Sequence, residues 1–161
     1  MTHEGACACR QVSYRLTSDP LFVHACHCKH CQCQSGSAFV LNALSETDRI
    51  DLLSGKTTEI MTPTASGKGQ RIIRCSACQT AVWSHYAYGK LDDAIAFVRV
   101  GTLAEPSRVP PDLHIFTESK QSWLSLPAGT AAVPQFYRAS EHWSPESIER
   151  RTALFLSLIH I

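Results

Sequence analysis

The sequence predicts a mainly β, antiparallel fold with one short helix near the C-terminus. Three observations predict it. Short runs of alternating or β-branched residues recur along the chain, as half-buried strands do. Turn signals separate these runs at Asp19-Pro20, Ser35-Gly36-Ser37, Ser54-Gly55, Gly101 and Ala128-Gly129. A helix-start signal appears late, at Ser144-Pro145. The 161 residues fit a single core, and a globule of this size buries roughly 68–70% of its unfolded surface.

The elements follow in order. Residues 11–16 alternate, with Val12, Tyr14 and Leu16 on one face of a strand. Asp19-Pro20 ends it, and residues 21–25 lead into a segment dense in cysteine. Residues 38–44 form a short apolar run of strand length, and residues 50–53 another. Residues 57–61 are rich in β-branched side chains and end at Pro63. Residues 64–69 (TASGKG) read as a flexible loop. Residues 70–74 form a strand that delivers Cys75, with residues 81–86 as its hairpin partner. Residues 95–100 and 114–116 complete the strands, separated by an irregular stretch holding Pro106, Pro110 and Pro111. A helix from Pro145 to about Leu156 places Ile148, Thr152 and Phe155 on one stripe. Residues 155–161 are more apolar than an exposed tail usually is. Trp83 and Trp123 are expected in the core. The expected organisation is a domain over residues 1–143 and a helical tail over 144–161.

Charge narrows the function. Fifteen Lys+Arg face fourteen Asp+Glu, a formal net charge of +1. A nucleic-acid or membrane-surface binder is usually visibly basic, so neither partner is expected. No apolar run approaches the ~18 residues that span a bilayer. The first residues, Met-Thr-His-Glu-Gly-Ala-Cys, carry no signal-peptide pattern, so the expected compartment is the cytoplasm.

Eight cysteines are the unusual feature. In a reducing compartment clustered cysteines read first as metal ligands. Cys7-Ala-Cys9 and Cys75-Ser-Ala-Cys78 are two short hooks that together supply four thiolates, enough to close a tetrahedral zinc site. Cys26-His-Cys28-Lys-His-Cys31 offers three more. Three protein ligands with an open position is the pattern of catalytic zinc. Cys33 leaves two arrangements open: it closes this second site, which is then structural, or it stands apart. His24, His27 and His30 either replace a cysteine or remain outside the metal shell. His85, His114 and His142 are single residues, read as packed or exposed. No Ser-His-Asp set, phosphate loop or carboxylate pair is present.

The segment from Cys26 to Cys31, followed by Ser35-Gly36-Ser37-Ala38-Phe39, resembles the glutathione-dependent formaldehyde-activating (GFA) enzyme family, which includes centromere protein V. Gly5-Ala-Cys7-Ala-Cys9, Arg74-Cys75-Ser-Ala-Cys78, Val98-Arg-Val-Gly101-Thr-Leu103, His114-Ile-Phe116 and Trp123 match further landmarks in order, over roughly residues 5–140. The resemblance implies a tent-like antiparallel β fold with two zinc ions. One would be structural, on Cys7, Cys9, Cys75 and Cys78. The other would be on the substrate side, on Cys26, Cys28 and Cys31, which would be the catalytic residues. It implies condensation of glutathione with formaldehyde to a hemithioacetal, a carbon–sulfur lyase activity. Gln79 stands where the family usually has glycine, at a cost of about 1 kcal/mol if that backbone is left-handed.

The chemistry is coherent. A free thiol is only a few per cent ionised near neutral pH, whereas zinc deprotonates a bound thiol outright. Zinc on three thiolates is net negative and glutathione brings two carboxylates, so basic residues are expected nearby. Lys29, Arg74, Arg99 and Lys120 are the candidates. The rival readings are a non-catalytic zinc-stapled module that binds a protein partner, and a thiol redox or zinc sensor with Cys33 as the resolving thiol.

Overall fold

The computed structural model describes residues 1–86 and 93–159. The chain runs β1 (His3–Ala6), β2 (Ser13–Leu16), β3 (Phe22–Cys26), α1 (Lys29–Ser35), β4 (Val40–Glu46), β5 (Ile50–Ser54), β6 (Thr57–Thr62), β7 (Gln70–Cys75), β8 (Ala81–Tyr86), β9 (Ile95–Arg99), β10 (Leu113–Ile115), α2 (Ala139–His142) and α3 (Pro145–Ile159). The strands form two sheets, in the orders β1-β2-β5 and β10-β3-β4-β9-β8-β7-β6. Apart from β10, which runs parallel to β3 after a long crossover, these pairings are antiparallel. The mainly β architecture with a C-terminal helix matches the expectation.

The core lies between the sheets. Val12, Tyr14 and Leu16 are fully buried, as their alternation predicts, and pack with Val23, Ala43, Val82 and Val98 of the large sheet. Trp83 sits edge-on to Tyr14 with ring centroids 5.5 Å apart. A second apolar cluster gathers Phe22, Val40, Leu113 and Ile115 around Cys26 and Cys31. All five residues of β3 are buried. A strand covered on both faces shows no alternation, so its sequence carries no strand periodicity.

The sequence predicted one helix, and the structure adds α1 and α2; of the elements that were not legible, β1 and α1 position the first and second cysteine clusters. β1 has no apolar pattern. It exists because Gly5 lies opposite Tyr14 in the β1–β2 register. A Cβ on Gly5 would stand 2.3 Å from the Tyr14 ring. The helix α1 is built by its ends. The Cys28 sulfur accepts from Cys31 N–H at 3.4 Å, and Gly36, with φ 66°, closes the helix by donating its N–H to Gln32 O.

Two expectations are corrected. Trp123 is 72% exposed, because it lies in an irregular stretch after Ser119 that has no strand to carry it inward. Thr152 is also exposed. Helix α3 docks through Ser147, Arg150, Arg151, Leu154 and Phe155, which rotates Thr152 to its outer edge. Ser144 caps α3 as expected, accepting from Ser147 N–H at 3.1 Å. The helix extends to Ile159, with Leu156, Leu158 and Ile159 exposed; the last two residues of the apolar tail fall outside the described ones.

Candidate metal centres and the cavity beside them

The first cysteine cluster joins the two sheets. Cys7 and Cys9 lie in the turn between β1 and β2, Cys75 ends β7, and Cys78 lies in the turn before β8. Their sulfurs all fall within 4.8 Å of one another. Cys7 and Cys9 Sγ are 3.5 Å apart, and Cys9 and Cys75 Sγ 3.8 Å. Four sulfurs around one zinc at ~2.3 Å would sit about 3.8 Å apart, so the donors and their spacing fit a tetrahedral ion. Cys7 Sγ also accepts from Val12 N–H at 3.3 Å. The Cys78 thiol is held down at about 5, first by its hydrogen bond with the Thr80 hydroxyl. Gln79 adopts the left-handed backbone, φ 60°, and donates its side-chain amide to Ser76 O at 3.1 Å.

The second cluster holds three sulfurs, Cys26, Cys28 and Cys31, also within 4.8 Å of one another. β3 delivers Cys26, and the first turn of α1 delivers Cys28 and Cys31. Cys26 and Cys31 are buried and Cys28 is half-buried. Hydrogen bonds from Cys26 and Cys31, and then the Cys31 N–H, pull Cys28 down to about 2. Cys26 is pushed up by its hydrogen bonds to Cys28 and Cys31 and by burial. The three sulfurs thus lower and raise one another's acidity within one small cluster. Three soft donors gathered this closely are a fitting receptor for a divalent cation.

Behind this cluster stands Arg99, donating to Asn42 Oδ1 across the β4–β9 pair. Burial lowers its pKa, and the nearness of the Cys31 sulfur opposes that effect. Below α1, the carbonyl of His27 receives Gln32 Nε2 at 2.6 Å and the Ser119 hydroxyl at 3.0 Å. Gln121 Nε2 holds Gln32 Oε1 at 2.7 Å. His27 Nε2 and His114 Nδ1 share a hydrogen bond of 2.8 Å, while His27 Nδ1 is buried without a partner. Gln32, Ser119 and Gln121 were missed in the sequence, because each acts on a residue distant along the chain and no local pattern marks it.

Cys26 and Cys28 open onto a cavity of about 930 Å³. His24 lines it, fully buried, with Nδ1 3.4 Å from the Tyr137 hydroxyl. Burial, then the nearby Arg99 charge, pushes His24 down to about 3, so its ring is neutral at physiological pH.

A family model described as glutathione-dependent formaldehyde-activating enzyme matches residues 2–119. The chain belongs to the glutathione-dependent formaldehyde-activating enzyme family. A search of curated proteins gave no match. Among solved structures, a crystal structure of a Rhodobacter sphaeroides protein is similar at 13% identity and a TM-score of 0.46, over 63% of this chain and 87% of that one.

Within this GFA-family chain, Cys33 stands apart from the trio and is exposed. The helix explains it: successive residues turn by about 100°, so Cys33 projects roughly 200° away from Cys31. None of His24, His27 and His30 joins either group of clustered donors; His30 Nε2 is paired with Gln70 Oε1 at 2.8 Å. Of the four basic candidates, only Lys29 lines the cavity beside the trio. Arg74 and Arg99 line a separate cavity of about 380 Å³, and Arg74 donates to Gln79 O at 2.8 Å. Lys120 donates to the carbonyls of Gln121 and Leu124. His85 and His114 are buried, the latter paired with His27, and His142 is exposed. Among the described residues no helix is long and apolar enough to cross a membrane.

Proposed function

We propose that this chain is a zinc-dependent enzyme of the carbon–sulfur lyase type that condenses glutathione or a related thiol with formaldehyde or another small aldehyde. The observation that carries the reading is the three-cysteine cluster with Cys33 turned away and Cys26 and Cys28 open to a cavity. Cys26, Cys28 and Cys31 would hold the substrate-side zinc and are the catalytic residues. Cys7, Cys9, Cys75 and Cys78 would hold a structural zinc. Bound zinc supplies a Lewis acid that keeps an adjoining substrate thiol deprotonated.

The residues of the chain prepare this chemistry. Arg99 places a fixed positive charge behind the trio and offsets its net negative charge. His24 is kept neutral by burial and adds no competing charge at the cavity wall. Gln32, Ser119 and Gln121 fix the backbone between Cys26 and Cys28. In the reaction a sulfur–carbon bond forms, the carbonyl π pair moves to oxygen, and that oxygen takes the proton the thiol gave up. Holding both reactants in one cavity contributes through effective molarity. Residues 1–143 would form the zinc-binding domain and 144–161 a tail that carries α3. A cytoplasmic setting would keep the seven clustered thiols reduced and available to metal.

Metal analysis with X-ray absorption at the zinc edge tests this, paired with NMR of labelled formaldehyde mixed with glutathione. Two zinc ions per chain are expected, one of them with three protein sulfurs that gains a fourth on thiol addition, together with accelerated hemithioacetal formation. A second zinc that already has four protein sulfurs overturns the enzyme reading and favours a protein-interaction module.

A further inference from the structure

The cavity beside Cys26 and Cys28 is far larger than a small aldehyde needs, and aromatic side chains are prominent in its lining. Formaldehyde is comparable to one or two waters, each taking ~30 Å³, against a cavity of about 930 Å³. Pockets of this size enclose whole organic ligands, so the space belongs to the body of the thiol. Much of its wall is aromatic. Phe97 and Phe116 come from the family-matched part of the chain. Phe136, Tyr137, Trp143 and Phe155 come from beyond residue 119, where the family match ends. Phe136 and Tyr137 stack with ring centroids 4.8 Å apart.

Charge points the same way. Among the described residues no carboxylate lines this cavity, so an ammonium would find no ion-pair partner there, only hydroxyls such as those of Thr64 and Ser66. Lys29, His30 and Arg151 are the basic residues on its wall. His30 is engaged with Gln70, and the Arg151 guanidinium lies over the Phe155 ring at 4.7 Å and near Trp143 at 5.9 Å. Burying an ammonium against aromatic walls costs far more than burying a ring.

We propose that the thiol taken beside Cys26 and Cys28 carries an aromatic body and a carboxylate, with the ring held among Phe136, Tyr137 and Trp143 and the carboxylate by Arg151. This rests on the reading that the trio receives a substrate thiol. The C-terminal segment is then the specificity wall, added to a metal site that the family model alone covers.

Calorimetric titration of the zinc-loaded full chain decides it. The probes are 2-mercapto-3-phenylpropanoate, glutathione, 2-mercaptopropanoate (no ring) and 3-phenyllactate (hydroxyl for thiol). The ring-bearing thiol is expected to bind at least tenfold tighter than glutathione and than the ringless thiol. Phe136→Ala should weaken the ring-bearing thiol several-fold and leave the ringless thiol unchanged. Phe136 is 56% exposed, so its truncation leaves the core intact. Arg151→Gln should weaken both monocarboxylates. Glutathione binding as tightly as the ring-bearing thiol, or indifference to Phe136→Ala, overturns the inference while leaving the thiol reading standing. Equal binding of 3-phenyllactate and the ring-bearing thiol supports the aromatic pocket and sinks the thiol reading instead.

Discussion

Arg150 grips Glu46 with two parallel hydrogen bonds, Nε to Oε1 at 2.9 Å and Nη2 to Oε2 at 2.7 Å. Glu46 ends β4 and is 3% exposed, while Arg150 belongs to α3. Arg150 also donates to Asp19 O and the Ser18 hydroxyl. A single side chain therefore ties the C-terminal helix to the large sheet. Removing Arg150 would leave the buried Glu46 carboxylate with only the half-exposed Arg49, at 3.5 Å from Oε1, which weakens the compensation of its charge. Arg150→Ala is expected to cost about 3 kcal/mol and to lower Tm by roughly 6–12 °C, at about 2–4 °C per kcal/mol for this chain length. Adding Glu46→Gln should recover part of that loss, since the stranded charge is then gone. Thermal unfolding of the single and double variants measures both. An additive double variant would show that the pair does not hold the helix.

This contact shows where the sequence was legible and where it was not. Strand β2 could be read from Val12, Tyr14 and Leu16 because a strand with one buried face alternates. The clusters could be read from cysteine spacing because paired hooks are local. Arg150 and Glu46 are 104 residues apart, and nothing near either one marks the other. The same holds for Gln32, Ser119 and Gln121. The cavity wall was illegible for a related reason: Phe136, Tyr137, Trp143 and Phe155 have no common period. They meet because the chain after β10 returns beside β3, where Tyr137 and Trp143 pack against Phe22. Whether Cys33 joins the trio could not be read until residues 29–35 were known to be helical.

Gly5 should tolerate no side chain. β1 crosses the Tyr14 ring so closely that an added Cβ meets Cζ at 2.3 Å and Cε1 at 2.7 Å. Tyr14 cannot retreat, being fully buried, with its hydroxyl 2.6 Å from Thr102 Oγ1 and its ring against Trp83. Overpacking of this kind costs about 1–3 kcal/mol. The strain falls two residues before Cys7. Gly5→Ala is therefore expected both to lower Tm and to speed metal release from the four-cysteine cluster, followed with a colorimetric chelator. Unchanged release would mean that β1 does not position Cys7.

Gln79 offers a cleaner comparison. Its φ of 60° strains any residue with a Cβ by about 1–2 kcal/mol, while glycine loses roughly 0.5–1 kcal/mol in chain entropy. Gln79→Gly and Gln79→Ala both lose the exposed hydrogen bond to Ser76 O. Comparing the two variants isolates the backbone. The glycine variant should be the more stable, by up to about 1 kcal/mol, in denaturant unfolding with the metal sites saturated. Equal stability would mean that the turn holding Cys78 relaxes when Gln79 is replaced.

The two clusters should fail differently when a sulfur is lost. Cys9 and Cys75 are 66 residues apart and belong to the parts of the chain that form different sheets. A metal held between them restricts a long loop in the unfolded chain. Cys26, Cys28 and Cys31 span a single strand–helix junction, where the same constraint restricts little. Cys9→Ser is therefore expected to lose one metal per chain and to fall well below wild type in Tm. Cys28→Ser should lose one metal with a much smaller change in Tm and no measurable thiol binding. Cys33→Ser is the control: its sulfur is exposed and points away from Cys31, so metal content, Tm and thiol affinity should all match wild type. Loss of metal in Cys33→Ser would place that sulfur in the second site, and the position open to substrate would then be filled by the protein itself.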